Sequence, residues 1–108
     1  MDEADAIVAL GALSQAMRLR VFRALVGAGP QGMTPGALSA TLDVPASTLS
    51  FHLKGLTSSG LVTQERDGRN LIYRPDIHQM NALIGYLSAH WCQGEDCGLV
   101  PSKGCQSC

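Results

Sequence analysis

The four cysteines of the chain all lie in its last seventeen residues, in the pattern Cys-x4-Cys-x7-Cys-x2-Cys; they are Cys92, Cys97, Cys105 and Cys108. Thiolates prefer soft ions, namely Cu(I), Zn(II), Cd(II) and trivalent arsenic or antimony. Trivalent arsenic or antimony takes two or three sulfurs in a pyramid and needs no rigid tetrahedral site. Gly94, Gly98 and Gly104 lie among these cysteines, so an irregular and adaptable backbone is expected there. The cluster therefore predicts a local thiol site for a soft ion.

Three other uses of these thiols stay open on this pattern. A structural zinc clip is one, although Cys92-x4-Cys97 only just falls within the usual spacing of zinc ligands. Redox sensing through a local disulfide and a tail with incidental cysteines are the others. An enzyme of the thiol reductase class would use Cys105-x-x-Cys108, but that pair lacks a βαβ context and a helix N-terminus that would lower a thiol pKa. We therefore expect a protein that is not an enzyme.

A second set of candidate residues lies on a helix predicted from Pro45 to Ser59 and ended by Gly60. At about 100° per residue, Leu49, Leu53 and Leu56 form a narrow apolar stripe suited to a core. The other side carries hydroxyls, one cation and one aromatic ring, and its predicted DNA contacts are Ser47, Thr48, Ser50, Phe51 and Lys54. Hydroxyls bond phosphates or base edges, an aromatic ring fits a thymine methyl, and a lysine neutralises a phosphate. Taken alone, the same face could simply be solvated.

His52 falls between the apolar stripe and the open face of this helix. A lone histidine at such a position is a phosphate contact or a packed residue more often than a metal ligand. We therefore include His52 among the candidate DNA contacts.

A basic hairpin is predicted directly after this helix. The runs 61–66 and 71–74 are rich in β-forming residues, and Asp67-Gly68 is a strong turn signal. Arg66 and Arg69 would lie at its tip, within reach of a DNA backbone or the narrow groove beside it. The formal net charge of −1 conceals +4 over residues 14–74, against −3 over 1–13 and −2 over 75–108. Near-neutrality therefore does not exclude a polyanion as partner.

The elements that must position these residues follow from caps and periodicity. Helices are predicted over 4–13, 14–28, 34–42, 45–59 and 76–91, with Ser14, Thr34 and Asp76 as N-caps and Pro35 at a first helical position. Two helices joined by a short turn, then a hairpin, form a winged helix-turn-helix, with 34–59 as the bihelical unit and 61–74 as the wing. The predicted fold class is mainly α with a β-hairpin wing, in one DNA-binding and dimerisation domain over 1–91, followed by a cysteine-rich sensor tail over 92–108.

The first and last predicted helices carry more apolar surface than one small domain needs. On the first helix this surface is formed by Ile7, Leu10 and Leu13, and on the last by Met80, Leu83, Ile84, Leu87 and Trp91. Pairing these helices across a two-fold axis would give a homodimer that matches a palindromic operator, whereas a monomer core is the alternative. His78 and His90 are twelve residues apart on the last helix, too far for a joint chelate, and His90 is at most a spare ligand beside Cys92.

Composition excludes several classes of protein. With 108 residues, one domain is expected, and 45% hydrophobic and 16% charged residues describe a chain that can build a core. Its mean hydropathy is +0.10, and no apolar run approaches the roughly 20 residues that span a bilayer. The acidic start lacks the basic region of a secretory signal, so a cytoplasmic location is expected.

Three segments together resemble the ArsR/SmtB family of small homodimeric winged-helix repressors. They are LGALSQAMRLRVFRAL at 10–25, PASTLSFHLKGL at 45–56 followed by Ser-Gly-Leu-Val, and the wing RDGRN at 66–70 with Tyr73. The resemblance spans residues 6–91. It implies DNA contacts from the helix and wing, namely Ser47, Thr48, Ser50, His52, Lys54, Arg66 and Arg69. It also implies dimerisation through the first and last helices and release from the operator by toxic metals or metalloids.

The chain departs from two sensor sites of that family. The Cys-x-Cys pair that the best-known arsenic sensors carry at the third helix is missing, because residues 32–38 read GMTPGAL. A zinc site on the last helix is incomplete, since Asp76 and His78 lack the following histidine and glutamate. Other arsenical sensors of the family use cysteines just after the last helix, where Cys92 and Cys97 stand.

The sequence thus predicts a DNA-binding repressor that trivalent arsenic or antimony, inorganic or methylated, releases from its operator. Cys92 and Cys97 would hold the ion, with a third sulfur from Cys105 or Cys108. A Zn(II)- or Cd(II)-responsive repressor, or a thiol-redox-responsive one, is the alternative on the same fold.

Overall fold

The computed structural model of the protein describes residues 1–89, which form five helices and one β-hairpin. The helices are α1 (Glu3–Leu13), α2 (Ala16–Ala28), α3 (Pro35–Leu42), α4 (Ala46–Ser58) and α5 (Ile77–Ser88), and the strands are β1 (Val62–Asp67) and β2 (Asn70–Pro75), between α4 and α5. This order confirms the predicted winged helix-turn-helix. The last helix was expected to reach Trp91, but Ala89 already leaves helical geometry at φ −57° and ψ 134°. His90, Trp91 and the four cysteines lie outside the described residues.

Local signals set most of the helix starts. The Thr34 hydroxyl accepts from the Ala37 backbone N–H at 3.2 Å, and the Asp76 carboxylate accepts from that of Gln79 at 3.0 Å. The prediction for Ser14 was wrong, because α2 has Gln15 at its N-cap and no side-chain cap. Ser14 instead ends α1, where its hydroxyl donates to the Gly11 carbonyl at 2.7 Å.

The turn between α3 and α4 fixes the bihelical unit. Asp43 takes the left-handed conformation at φ +56°, which ends α3 and redirects the chain. Ser39 closes the turn by donating its hydroxyl to the Val44 carbonyl at 2.6 Å. Leu38 of α3 and Leu49 of α4 are both fully buried, so the two helices share one core.

The hairpin turns through only two residues, Gly68 and Arg69. The strands therefore extend to Asp67 and Asn70, which pair with each other and were expected to lie in the turn. Gly68 has φ +64°, and glycine at the first central position is what a tight type II′ hairpin requires. The antiparallel register also pairs Arg66 with Leu71, so both tip arginines project from the far end of the wing.

The core lies where α2, α3, α4 and the base of the wing meet. Its fully buried side chains are Val21, Leu25, Leu38, Leu49, Leu53, Leu56, Leu61 and Val62. This core holds α4 with its apolar stripe inward, and thereby turns the opposite side of the helix to solvent.

The terminal helices cover the core with few large side chains. α1 packs against α2, α4 and α5 through Ala6, Ala9 and Ala12, while Ile7 and Leu10 remain exposed. On α5 only Leu83 is buried. The predicted apolar surface on these two helices is therefore divided: Leu13, Met80 and Leu83 pack on or in the core, whereas Ile7, Leu10, Ile84 and Leu87 are exposed. No helix in residues 1–89 is both long enough and apolar enough to cross a membrane.

Candidate nucleic-acid interface

The predicted contact residues of α4 share one solvent-facing side of the helix. Burial of Leu49, Leu53 and Leu56 fixes the rotation of α4. That rotation leaves the predicted hydroxyl, lysine and aromatic side chains exposed, and these are Ser47, Thr48, Ser50, Phe51 and Lys54. Phe51 is 61% exposed, so one face of its ring is open to solvent and to a binding partner.

The first turn of α4 adds backbone donors to this face. Pro45 occupies the N-cap and provides no side-chain hydrogen bond to the following N–H groups. Unpaired N–H groups and the helix dipole give such a terminus partial positive charge. Ser47 and Thr48 lie in that turn, so their hydroxyls and the backbone N–H groups present donors together.

His52 is partly buried and contacts a residue of another helix. The Arg18 side chain of α2 donates from Nε to Nδ1 of His52 at 3.4 Å. Burial, and secondly the positive charge of Arg18, lower the pKa of His52 below its ordinary value of 6.5. The imidazole is therefore neutral at pH 7. With Nδ1 accepting from Arg18, its own proton resides on Nε2.

Arg18 is the residue of this surface that the sequence analysis missed. Its guanidinium carbon lies 5.4 Å from the centroid of the exposed Phe51 ring, in cation–π geometry. Arg18 was counted only toward the regional charge, because 34 residues separate it from His52 and periodicity within one helix carries no information about such a pair. The sequence offered one sign of this contact: Gly55, in the middle of α4, leaves room for a side chain from another helix.

The wing places Arg66 and Arg69 at its exposed tip, as predicted. Arg74 near the base of the wing has a different role, since its Nη1 pairs with Glu65 at 2.6 Å and its Nε donates to the Pro30 carbonyl at 2.8 Å. Among residues 1–89 this is the only ion pair, so neither tip arginine is neutralised by a described carboxylate. The exposed face of α4 and the wing tip together form a cationic, hydrogen-bonding surface.

Residues 1–89 contain no group of three or more histidine, cysteine, aspartate or glutamate side chains that could hold a metal ion. The Asp76 carboxylate is engaged as the cap of α5, and His78 is exposed beside it. The predicted thiol ligands Cys92, Cys97, Cys105 and Cys108 lie outside the described part of the chain.

Comparisons with known proteins agree with this architecture. A family model described as a helix-turn-helix domain matches residues 13–65. The transcriptional regulator YgaV of Escherichia coli is 30% identical over 88 residues, which cover 82% of this chain and 87% of YgaV. The transcriptional activator HlyU of Vibrio cholerae is 29% identical over 92 residues, covering 85% of this chain and 82% of HlyU.

Solved structures give the same result. An ArsR-like transcriptional regulator from Rhodococcus superposes with a TM-score of 0.70 at 25% identity, covering 82% of this chain and 84% of that one. A protein described as a "possible transcriptional regulator for arsenical resistance" superposes at 0.64 with 30% identity, covering 76% of this chain and 82% of the other.

The fold, together with relatives that are described as transcriptional regulators and not as enzymes, defines a winged helix-turn-helix transcriptional regulator of a DNA-binding class. Within that class, the chain belongs to the ArsR/SmtB family.

Proposed function

We propose that the chain is a homodimeric repressor that binds operator DNA and is released by trivalent arsenic or antimony. The observation that carries the proposal is the outward face of α4, where exposed hydroxyls, Lys54 and Phe51 lie beside the basic wing tip. This face would enter the major groove, with Ser47, Thr48, Ser50, Phe51, His52 and Lys54 as contacts. Arg66 and Arg69 would bind the neighbouring backbone or minor groove.

Exposed apolar side chains on α1 and α5 support the homodimer. Ile7 is 60% exposed and Val8 54% on α1, and Leu87 is 56% exposed on α5. These two helices contact each other, so their outward sides can form one patch, and contiguous apolar patches on soluble proteins mark interaction surfaces. A two-fold pairing through this patch would present two copies of α4 to two half-sites of a palindrome.

The inducer part of the proposal rests on the chemistry and position of the thiols. Cys92 follows the last residue of α5, Ser88, by four positions, and Cys97 follows five positions later. Thiolates are the ligands that trivalent arsenic and antimony prefer, and Cys105 or Cys108 would add a third sulfur. The similarity to a structure described as a possible regulator for arsenical resistance supports the same inducer class. Residues 92–108 would then act as the sensor and 1–91 as the DNA-binding and dimerisation domain.

Because the sensor thiols follow a proposed dimer helix and not α4, the ion would act on DNA binding through dimer geometry. Such coupling between two sites is typically worth about 1–3 kcal/mol. Release would therefore appear as a loss of operator affinity of about 5- to 150-fold, without any contact between the ion and DNA.

The test is a titration of arsenite, antimonite and methylarsenite into a complex of the full chain with a duplex that it has selected from a random pool. Fluorescence anisotropy of the duplex should fall for the wild-type protein and stay constant for Cys92→Ser/Cys97→Ser. Cys105→Ser and Cys108→Ser serve as matched controls that retain two adjacent thiols. Unchanged release from the Cys92→Ser/Cys97→Ser protein would refute the site.

The same titration distinguishes an arsenic-responsive repressor from one that responds to another metal or to oxidation. Release by Zn(II) or Cd(II) with arsenite inert would identify a metal sensor of a different class. Release by oxidation in metal-free buffer, reversed by a reductant, would identify a thiol-redox sensor. A promoter fusion bearing the selected duplex decides the direction of regulation: repression predicts low reporter output that rises with arsenite, and the reverse would make the chain an activator, as its relative HlyU is described.

A further inference from the structure

The side chain of Arg18 fills the space above Gly55 in the middle of the recognition helix α4. A Cβ atom added at Gly55 would lie 2.6 Å from the guanidinium carbon of Arg18 and 2.8 Å from its Nη2. Carbon atoms do not approach so closely, so the guanidinium occupies space that is open only because residue 55 has no side chain. The seat of Arg18 on α4 therefore depends on glycine at this position.

The guanidinium of Arg18 lies along the edge of the outward face of α4 and not on the buried side of the helix. At about 100° per residue, Phe51 and Gly55 lie about 200° and 240° from the buried Leu49, whereas Lys54 lies at about 140°. Arg18 contacts the first two of these, with its guanidinium carbon 5.4 Å from the Phe51 ring centroid. The open face of α4 thus has one cation along each edge, Lys54 on α4 itself and Arg18 reaching over from α2.

Arg18 has little hydrogen bonding of its own to explain this arrangement. Its Nε donates to His52, and its two Nη atoms have no hydrogen-bond acceptor among residues 1–89. No carboxylate in that part of the chain pairs with it, since the single ion pair joins Arg74 and Glu65. Arg18 is only partly buried, so its guanidinium still reaches solvent without such a partner. Here the guanidinium keeps unused N–H donors beside an exposed aromatic ring.

We infer that Arg18 binds a DNA phosphate at the edge of α4 opposite Lys54, an inference that rests on the proposed DNA-binding function. The planar guanidinium fits two phosphate oxygens at once, and cations on both edges suit a helix lying between the two backbones of a groove. The contact with Nδ1 of His52 also leaves the histidine proton on Nε2. His52 thereby presents a donor to DNA on the same edge.

Gly55→Ala tests this inference without replacing Arg18 or any core residue. The added methyl displaces the guanidinium, while alanine in a helix interior should raise Tm by about 4 °C relative to glycine. Gly27→Ala on α2 is the matched control, because a Cβ there meets nothing within 4 Å. Binding is measured with reduced, metal-free full-length protein on the duplex selected by the wild type, over a series of salt concentrations.

We expect Gly55→Ala to weaken binding about tenfold. We also expect the negative slope of log K against log salt to become shallower by about 0.9 per protomer, as loss of one phosphate contact requires. Gly27→Ala should keep the wild-type affinity and slope. Arg18→Gln should match Gly55→Ala, and the double variant should bind no worse than Arg18→Gln, because both changes remove the same contact.

Two results would overturn the inference. The first is a Gly55→Ala protein with the affinity and salt slope of Gly27→Ala. The second is full additivity of Gly55→Ala and Arg18→Gln. Failure of the wild-type protein to select any duplex is a different outcome, since it would refute the DNA-binding function itself.

Discussion

Met33 and Tyr73 exchange both of their backbone hydrogen bonds, with N···O distances of 3.0 Å and 2.8 Å. Met33 immediately precedes Thr34, the N-cap of α3, and Tyr73 lies in the second strand of the wing. The two backbones therefore fix the wing against the helix-turn-helix unit. The distance between the wing tip and α4, on which the proposed DNA contacts depend, is set at this junction.

Gly32 controls the same junction, and we expect Gly32→Ala to destabilise the protein by about 3 kcal/mol. Its φ is +70°, and an added Cβ would lie 2.7 Å from the Tyr73 carbonyl oxygen, which is backbone and cannot rotate away. Gly68→Ala is the control, because Gly68 has φ +64° but open space around it, and only the conformational cost of about 1 kcal/mol applies. Urea denaturation measures both free energies of unfolding; equal losses would contradict the steric argument.

Phe51 and Leu53 lie two residues apart on α4, and their alanine variants should behave in opposite ways. Leu53 is 2% exposed, so Leu53→Ala should reduce the free energy of unfolding by about 3 kcal/mol. Phe51→Ala should leave folding within about 0.5 kcal/mol of wild type, because the ring is exposed, yet weaken binding to the selected duplex. Thermal unfolding and anisotropy distinguish the two effects. A Phe51→Ala protein with wild-type affinity would remove Phe51 from the interface.

Leu87→Glu should dissociate the proposed homodimer. A charge placed at the centre of an apolar interface raises the dissociation constant by about 100-fold or more. Sedimentation velocity should show monomers of unchanged secondary structure, and operator affinity should fall with the loss of the second half-site. Leu19→Glu is the control, since Leu19 is 42% exposed on α2 and lines a groove with Leu42 of α3. A wild-type monomer, or a Leu87→Glu dimer, would contradict the proposed interface.

The lowered pKa of His52 predicts a loss of stability in mild acid. The unfolded chain takes up a proton near the ordinary histidine pKa of 6.5, whereas the folded protein takes it up only at lower pH. The unfolded state then binds more protons, so the free energy of unfolding falls as the pH drops below about 6.5. His52→Gln should flatten this dependence, measured by urea denaturation across pH. Arg18→Gln should flatten it in part, because the Arg18 charge is the smaller of the two causes. If the free energy of unfolding of His52→Gln showed the wild-type pH dependence, a group other than His52 would be its cause.

Local chemistry predicted most of the fold. Thr34, Pro35 and Asp76 mark helix starts because a hydroxyl, a fixed φ or a carboxylate acts on backbone within three residues. Ser14 shows the limit of that reasoning: a serine between two helices can end the first as well as start the second. Here it binds the Gly11 carbonyl behind it.

Features that depend on how helices cross were less predictable. The three-residue spacing of Ile7, Leu10 and Leu13 predicted an apolar side of α1, but the alanines one position earlier form the buried side. Arg18 was missed as a neighbour of the exposed α4 face for a related reason, since its position over Gly55 is a property of the α2–α4 crossing. The rotation of α4, by contrast, follows from its own leucines, so its candidate contacts could be chosen from sequence.

Packing of α1 through Ala6, Ala9 and Ala12 has a mechanical consequence. Methyl groups interdigitate shallowly, so they allow two helices to slide past one another with little repacking, whereas interlocked leucines resist such a movement. A shift of α1 would therefore require less repacking than a shift of α2 or α4, whose leucines form the core. An event at the end of α5, which touches α1, could in this way change the spacing of the two recognition helices in a dimer without unfolding either subunit.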